Sequence, residues 1–449
     1  MARLGAFCFP GTGHLNPLTA LARRLQQRGH TVIVFGIADV ESRVRAAGID
    51  FCLIGQSDYP LGTLQKLDQQ LGEMSGVQIL RFTMERVSNT ARMVLRDGLE
   101  AVRQANLDAM LIDEADMANN IAECLGLPYI SLALIPPMVN DNRFPPFYFG
   151  WSGSQLWWCR LRNEIAIRVL TRMARPIFDA VNKYRVAWGM TVGRHPGEGL
   201  SKLAQITQLP RALEFDIDPP PPHLYYTAPF VDPVQRPPID FPWHQIDGRP
   251  LIYASLGTLQ NQSHEKFQMI AGACAELDVQ LVMSLGGGLD REQLGPLRGD
   301  PLVVNYAPQL QIIKRAALVI THAGLNTVLE SLAEGVPMVC IPLGNDQPGV
   351  AARVKARGAG IVVHPRRVNA KRLRSAVSAV LEDDSYRRAA RKIQSAMAEI
   401  DGPNRAADIV EAALKIGTAA RPEKPETQPI ADRAIEERTI ETQSPPVSI

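Results

Sequence analysis

Two histidines in this sequence stand where an imidazole could meet a ligand. His14 ends the string Pro10-Gly11-Thr12-Gly13-His14, directly after the apolar run at 4–9. A solvent-reachable imidazole near neutrality can take a proton from a bound hydroxyl. Such a base works better when a carboxylate orients its ring, and Asp113, closing the apolar run at 109–112, is the candidate. His322 belongs to the string Thr321-His322-Ala323-Gly324, between an apolar run and a helical pattern. A strand that passes through a glycine turn into a helix presents unpaired N–H groups and a positive dipole end, which favours a phosphate. Gly324 lets a ligand approach the backbone closely. Asn326 and Thr327 fall in the first turn of that helix, and Glu330 lies one turn later on the same side, within reach of a sugar diol. Asp346 and Gln347 come just past the next apolar run, beyond the carboxyl ends where open α/β sheets bind ligands.

The elements that must hold these groups read as strand–turn–helix units. Residues 4–35 give a strand, a turn carrying His14, an amphipathic helix from Pro17 and a second strand at 31–35, the opening of a doubly wound α/β domain. Helical patterning covers 62–104, 109–113 supplies a further strand, and 123–134 reads as a helix end, a proline turn and another buried strand. A second such unit opens with a strand at 251–255 running into Ser255-Leu256-Gly257-Thr258, whose small residues and backbone donors suit a phosphate. A helix at 264–276, strands at 280–284 and 302–305, and the strand–turn–helix–strand at 318–343 follow.

The donor-side string, His-small-Gly-x-Asn-Thr, then Glu, then Asp-Gln-Pro, closely resembles the donor-binding segment of the UDP-glycosyltransferase superfamily. Within it, THAGLNTVLESLA at 321–333, DQPGVAARV at 346–354 and SLGTLQ at 255–260 look like the bacterial zeaxanthin (carotenoid) glucosyltransferase branch. The likeness runs to about residue 416. It implies an α/β fold of the GT-B type, two Rossmann-like doubly wound domains facing each other across a cleft. It also implies that His14 is the catalytic base, matching Gly-His-x-x-Pro, and that Asp113 orients it. On the donor side, Ser255, Gly257 and Thr258 with His322, Gly324, Asn326 and Thr327 would hold the diphosphate, and Glu330 the ribose. Tyr306 would stack on the base where many relatives carry Trp, with Ala307 and Gln309 beside it, and Asp346 and Gln347 would meet the sugar hydroxyls. The reaction it implies needs no metal and no cofactor; the UDP-sugar is a substrate.

Other motifs carry less. Gly11-x-Gly13 is an incomplete dinucleotide fingerprint, with Asn16 where a third glycine would stand and no acid ending the second strand. The string Asp113-Glu114-Ala115-Asp116 is no helicase signature, since no phosphate-binding G-x-x-x-x-G-K-[ST] loop occurs; Glu114 and Asp116 read as helix N-terminal charges. Asp216-Ile217-Asp218 lies in a proline-rich stretch without strand context and is set aside as a metal site.

The 449 residues exceed a single core, and a net charge of +2 gives no sign of nucleic-acid binding. Six dispersed cysteines make neither a zinc pattern nor a disulfide framework. The chain starts directly as a strand and has no apolar run long enough to span a bilayer, so a cytoplasmic protein is expected. The expected organisation is an acceptor-binding domain at 1–215, a proline-rich connector at 216–249 and a donor-binding domain at 250–402. A helix at 403–416 crosses back to the first domain, and a disordered tail fills 417–449. The Pro- and aromatic-rich loop at 136–151 is either a wall of a greasy acceptor pocket or a packed surface loop. Residues 155–190 hold seven Arg and Lys against two acids, with Trp157 and Trp158 among them. That segment is either a helix pair with a solvated basic face or an amphipathic element touching the inner membrane face.

The expected function is transfer of glucose from UDP-glucose to a hydroxyl of a hydrophobic small molecule such as a carotenoid, with inversion. A permissive natural-product O-glycosyltransferase acting on phenols or macrolides is the alternative. A UDP-sugar epimerase and a non-catalytic sugar-nucleotide-binding protein stand behind it.

Overall fold

The computed structural model describes residues 1–419 except 73, 75, 194, 195, 233–238, 258–262 and 288. Thr258 and the tail from residue 420 therefore lie outside the described residues.

The first half runs β1 (Arg3–Phe7), α1 (Thr12–Gln27), β2 (Thr31–Gly36), α2 (Ala38–Ala46), β3 (Asp50–Leu53), α3 (Thr63–Gly72) and α4 (Val77–Ala105). It continues through β4 (Ala109–Asp113), α5 (Asn119–Cys124), β5 (Tyr129–Ala133), α6 (Trp157–Met173), α7 (Arg175–Ala187), β6 (Gln205–Thr207) and β7 (Leu224–Tyr226). The second half runs β8 (Leu251–Ser255), α8 (His264–Cys274), β9 (Gln280–Ser284), β10 (Leu302–Val304), α9 (Gln309–Ile313), β11 (Ala316–Thr321) and α10 (Leu325–Ala333). It closes with β12 (Met338–Cys340), α11 (Gln347–Ala356), β13 (Gly360–Val362), α12 (Ala370–Glu382), α13 (Asp384–Ala398) and α14 (Gly402–Ala419).

Among the described residues the strands form two sheets, ordered β3-β2-β1-β4-β5-β6-β7 and β10-β9-β8-β11-β12-β13. Every pairing is parallel. Strands covered by helices on both faces are apolar along most of their length, and β4 and β8, whose last residues Asp113 and Ser255 are polar, are buried throughout. In each sheet the strand order reverses beside the first strand, between β1 and β4 and between β8 and β11. Ligands in open α/β sheets bind outside the carboxyl ends at such a reversal. His14 follows β1 and Asp113 ends β4; Ser255 ends β8 and His322 follows β11. All four thus stand at the two reversal points.

Four sequence expectations need correction. Helix α1 begins at Thr12, not near Pro17, so His14 sits in its first turn and Pro17 lies inside it. Pro17 is tolerated there because the Gly13 carbonyl it leaves without a helical donor is satisfied from elsewhere. Leu224–Tyr226 falls within the expected connector, yet it pairs with β6 as the edge strand of the first sheet, a position that suits a proline-flanked segment. The helix expected at 403–416 opens at Gly402, with Pro403 in its first turn, and runs to Ala419, past the expected tail start. Asp346 and Gln347, in the stretch after the 338–343 strand whose polar residues read as a loop, are the cap and first residue of α11.

Helix α14 packs Ala406, Ala407, Val410 and Leu414 into the core of the first sheet. Arg28, at the end of α1, fixes it from outside through Asp408, Glu411 and Asn404. The buried Arg353 on α11 donates to both oxygens of the buried Glu214 at 2.8 and 3.1 Å, tying the segment before the connector to the second domain. Asp216 and Asp218, the D-x-D pair, are bound by Arg357 and Arg211.

Candidate active site

One cavity of about 870 Å³ lies between the two reversal points and takes its walls from both halves. On the first-domain side, His14 Nδ1 donates to Asp113 Oδ2 at 2.6 Å. Asp113 is fully buried and is held from behind by the N–H groups of Phe9 on Oδ2 and Ala115 on Oδ1. A carboxylate anchored on both oxygens fixes the imidazole tautomer, with the proton on Nδ1 and the lone pair on Nε2. Burial pulls the His14 pKa down, but the Asp113 charge and hydrogen bond outweigh it, Asp346 adds to them, and the net shift is upward against an opposing Arg86.

On the second-domain side, His322 lies between two glycines. A Cβ at Gly257 would come within 2.6 Å of its ring, and one at Gly324 within 2.5 Å. Gly257 has φ of +80°, and Ala323, next to the histidine, is itself left-handed at +66°. That turn carries the chain sharply from β11 into α10. Desolvation lowers the His322 pKa to about 4 against a backbone contact with Ser255, so the ring is neutral at pH 7; Nδ1 is shut from water, and Nε2 is the side that the two glycines flank. A neutral ring whose Nε2 lies beside a helix start and glycine-bared backbone suits an anion. Thr327 and Glu330 line the same wall, and Glu330 accepts from Gln309 Nε2 at 2.6 Å. Gln309 in turn accepts from the Tyr253 hydroxyl at 3.0 Å. Tyr306 leaves 55% of its surface open at the cavity rim, its hydroxyl standing where a Cβ at the left-handed Gly287 would fall, and Ala307 lines the wall next to it.

Asp346 faces His14 across the cleft. Desolvation raises its pKa to about 6, opposed by the His14 charge. Gln347 uses Oε1 to accept from the N–H groups of Leu343 and Gly344, which shapes the turn before α11. Asn326 departs from the expected pattern, because its side chain is already engaged with the first domain. It donates to the Gly13 carbonyl at 2.9 Å and accepts from Gln208 Nε2 at 3.0 Å.

Glu114 and Asp116 are not plain helix charges. Both are 7% exposed and line the cavity. Burial raises Glu114 to about 8, opposed by the Met138 N–H and the Gln205 amide, and raises Asp116 to about 7, opposed by the Ala118 N–H. Only Asp116 touches the start of α5, through that Ala118 N–H. The loop at 136–151 does wall the chamber, with Phe144, Phe147 and Tyr148 turned to it. Gln208 and Asn345, which accepts from Thr83 on α4, were not singled out in the sequence and carry no local signal there.

The family "UDP-glucoronosyl and UDP-glucosyl transferase" matches residues 243–407, the half that holds the His322 turn. Across nearly the whole length, the chain is 31% identical to the zeaxanthin glucosyltransferase of Pseudescherichia vulneris, covering 90% of this chain and 96% of that one. The chain belongs to the UDP-glycosyltransferase family. The zeaxanthin glucosyltransferase of Pantoea ananas is 28% identical, with 93% and 97% covered. In three dimensions the chain is similar to CalG4, the calicheamicin glycosyltransferase, with a TM-score of 0.69 at 22% identity over 94% of this chain and 100% of that one. The fold is GT-B, and the protein is a UDP-sugar-dependent glycosyltransferase acting on a small-molecule acceptor. This UDP-glycosyltransferase is therefore neither an epimerase nor a non-catalytic binder. Among the described residues no helix is long and apolar enough to cross a membrane.

Proposed function

We propose that this enzyme transfers glucose from UDP-glucose to a hydroxyl of a hydrophobic small molecule, such as a carotenoid, with His14 as base and inversion at the anomeric carbon. The observation that carries this reading is the 2.6 Å bond from His14 Nδ1 to the anchored Asp113, in a cavity shared with the His322 turn. The acceptor O–H proton passes to His14 Nε2 while the oxygen bonds to C1 of the sugar from the face opposite UDP. The bond from C1 to the diphosphate oxygen breaks, and UDP leaves with the electron pair. Asp113 stabilises the imidazolium. Charge on the departing diphosphate is met by a neutral His322 acting as an N–H donor, by Thr327 and by the amides at the start of α10. Glu330 holds the ribose diol, Tyr306 stacks on uracil, and Asp346 with Gln347 binds the sugar hydroxyls. Phe144, Phe147, Ile177 and Phe178 give the acceptor chamber the apolar character a polyene needs.

A second reading has its own support. Glu114, Asp116, Asn119 and Asn120 put polar groups in the acceptor chamber, which suits oxygenated ring systems and a permissive natural-product O-glycosyltransferase. UDP release from UDP-glucose, measured with zeaxanthin in detergent against a panel of flavonoids and macrolides, separates the two. Turnover confined to zeaxanthin supports the carotenoid reading, and broad turnover on soluble phenols replaces it.

A further inference from the structure

Helix α6 has two apolar sides. Ile167, Leu170 and Thr171, with Ala174 just past its end, line the acceptor chamber. Trp157, Trp158, Leu161, Ile165 and Val169 are each more than half exposed, Trp157 at 75%. At 3.6 residues per turn these five fall within about 120° of the helix circumference, a continuous stripe facing solvent. Arg168 and Arg172 project from the same sector, one and two turns nearer the carboxyl end. An outer groove along α6 and α7 is lined by Arg168, Arg172 and Arg175 together with Asp141, Glu164 and Asp179, and shares Ile167, Thr171, Phe178 and Asn182 with the acceptor chamber. A single layer of side chains thus separates the chamber from the outside at this point.

We propose that α6 docks on an anionic lipid surface, so that a lipid-dissolved acceptor passes between α6 and α7 into the chamber. The proposal rests on the hydrophobic acceptor inferred above. Tryptophans and aliphatic side chains beside arginines are what a helix lying in the headgroup region presents. The arginines are complementary to anionic headgroups: Arg168 and Arg175 pair only with the exposed neighbours Glu164 and Asp179, at 3.0 and 3.6 Å, and such surface pairs compete weakly. A second copy of this chain on the same face would bring Arg168 and Arg172 against their own counterparts, which disfavours a two-fold interface.

The test is flotation of the full-length protein with vesicles of phosphatidylcholine alone or mixed with phosphatidylglycerol, with no donor or acceptor present. Wild type is expected to float with the anionic vesicles and to be released by salt. Trp157→Ser/Trp158→Ser and, separately, Arg168→Gln/Arg172→Gln are expected to weaken binding about tenfold or more. The tryptophan variant should keep wild-type UDP release with a detergent-dispersed acceptor, which also shows that it folds. Wild type that floats with neither vesicle, or a tryptophan variant that binds as wild type does, overturns the proposal. So does a wild-type dimer that the tryptophan variant dissolves, which would assign the stripe to self-association. Because binding is read without turnover, its failure is distinct from failure of the proposed reaction.

Discussion

Asn326, in the first turn of α10, donates from Nδ2 to the carbonyl oxygen of Gly13, 2.9 Å away in the first turn of α1. Gly13 needs that donor because Pro17, four residues on, has no N–H to give. The missing rung of one helix is thus filled by a side chain from the other domain, beside His14. Through the Gln208 amide at 3.0 Å the same asparagine is tied to the end of β6. The His322 turn and His14 are therefore mechanically linked.

Asn326→Ala is expected to lower kcat/KM for UDP-glucose about tenfold or more while costing about 1 kcal/mol of stability, the net worth of ordinary hydrogen bonds. Steady-state kinetics with a thermal melt checks this. An unchanged kcat/KM would reduce the contact to a structural tie.

The upward shift of His14 means that its protonated form, inactive under the proposed mechanism, persists to higher pH than an ordinary imidazole's. Activity should rise with pH through a midpoint above 6.5, with Asp346, near 6, titrating alongside it. Asp113→Asn removes the charge that raises the pKa. It should move the midpoint down and cut kcat about a hundredfold or more, the wrong tautomer then being favoured. A pH–rate profile that leaves the midpoint in place would detach Asp113 from the base.

His322, held neutral at a pKa of about 4, should gain basicity when a diphosphate arrives. Titrating the protein with UDP and following imidazole resonances by NMR should move His322 upward. His322→Ala should lower kcat about ten- to a thousandfold, the range for losing one donor to a charge that develops in the transition state. Gly257→Ala should weaken UDP binding as well, since its Cβ would meet the same ring at 2.6 Å. A His322 resonance indifferent to UDP would remove it from the diphosphate site.

The Arg353–Glu214 pair is buried, at 3% and 0% side-chain exposure. Arg353→Met leaves a carboxylate without its partner and is expected to destabilise the protein by about 3–5 kcal/mol, whereas Arg353→Met/Glu214→Leu should recover much of that loss. Denaturant unfolding of the three proteins decides it; equal loss in the single and double variants would mean that the pair matters for packing rather than charge.

Much of this was legible in the sequence where a local pattern mirrors burial. Strands β4, β8 and β9 stand out as short apolar runs because parallel strands under helices are buried on both faces. The His322 turn is legible because its glycines are required by contact with that ring. Pro17 misled because proline usually marks a helix start, and here the Gly13 carbonyl it leaves open is met by a donor 313 residues from that glycine. Glu114 misled because its partners, Met138 and Gln205, reach it only through the fold. The edge strand β7 was hidden among prolines that an outermost strand can tolerate.

The central claim is that His14 removes the acceptor proton in a cleft whose other wall binds the UDP-sugar. UDP release by His14→Ala, measured beside calorimetric UDP binding, tests it most directly. The account predicts turnover reduced about a hundred- to ten-thousandfold with UDP affinity unchanged. Wild-type turnover in that variant would contradict it.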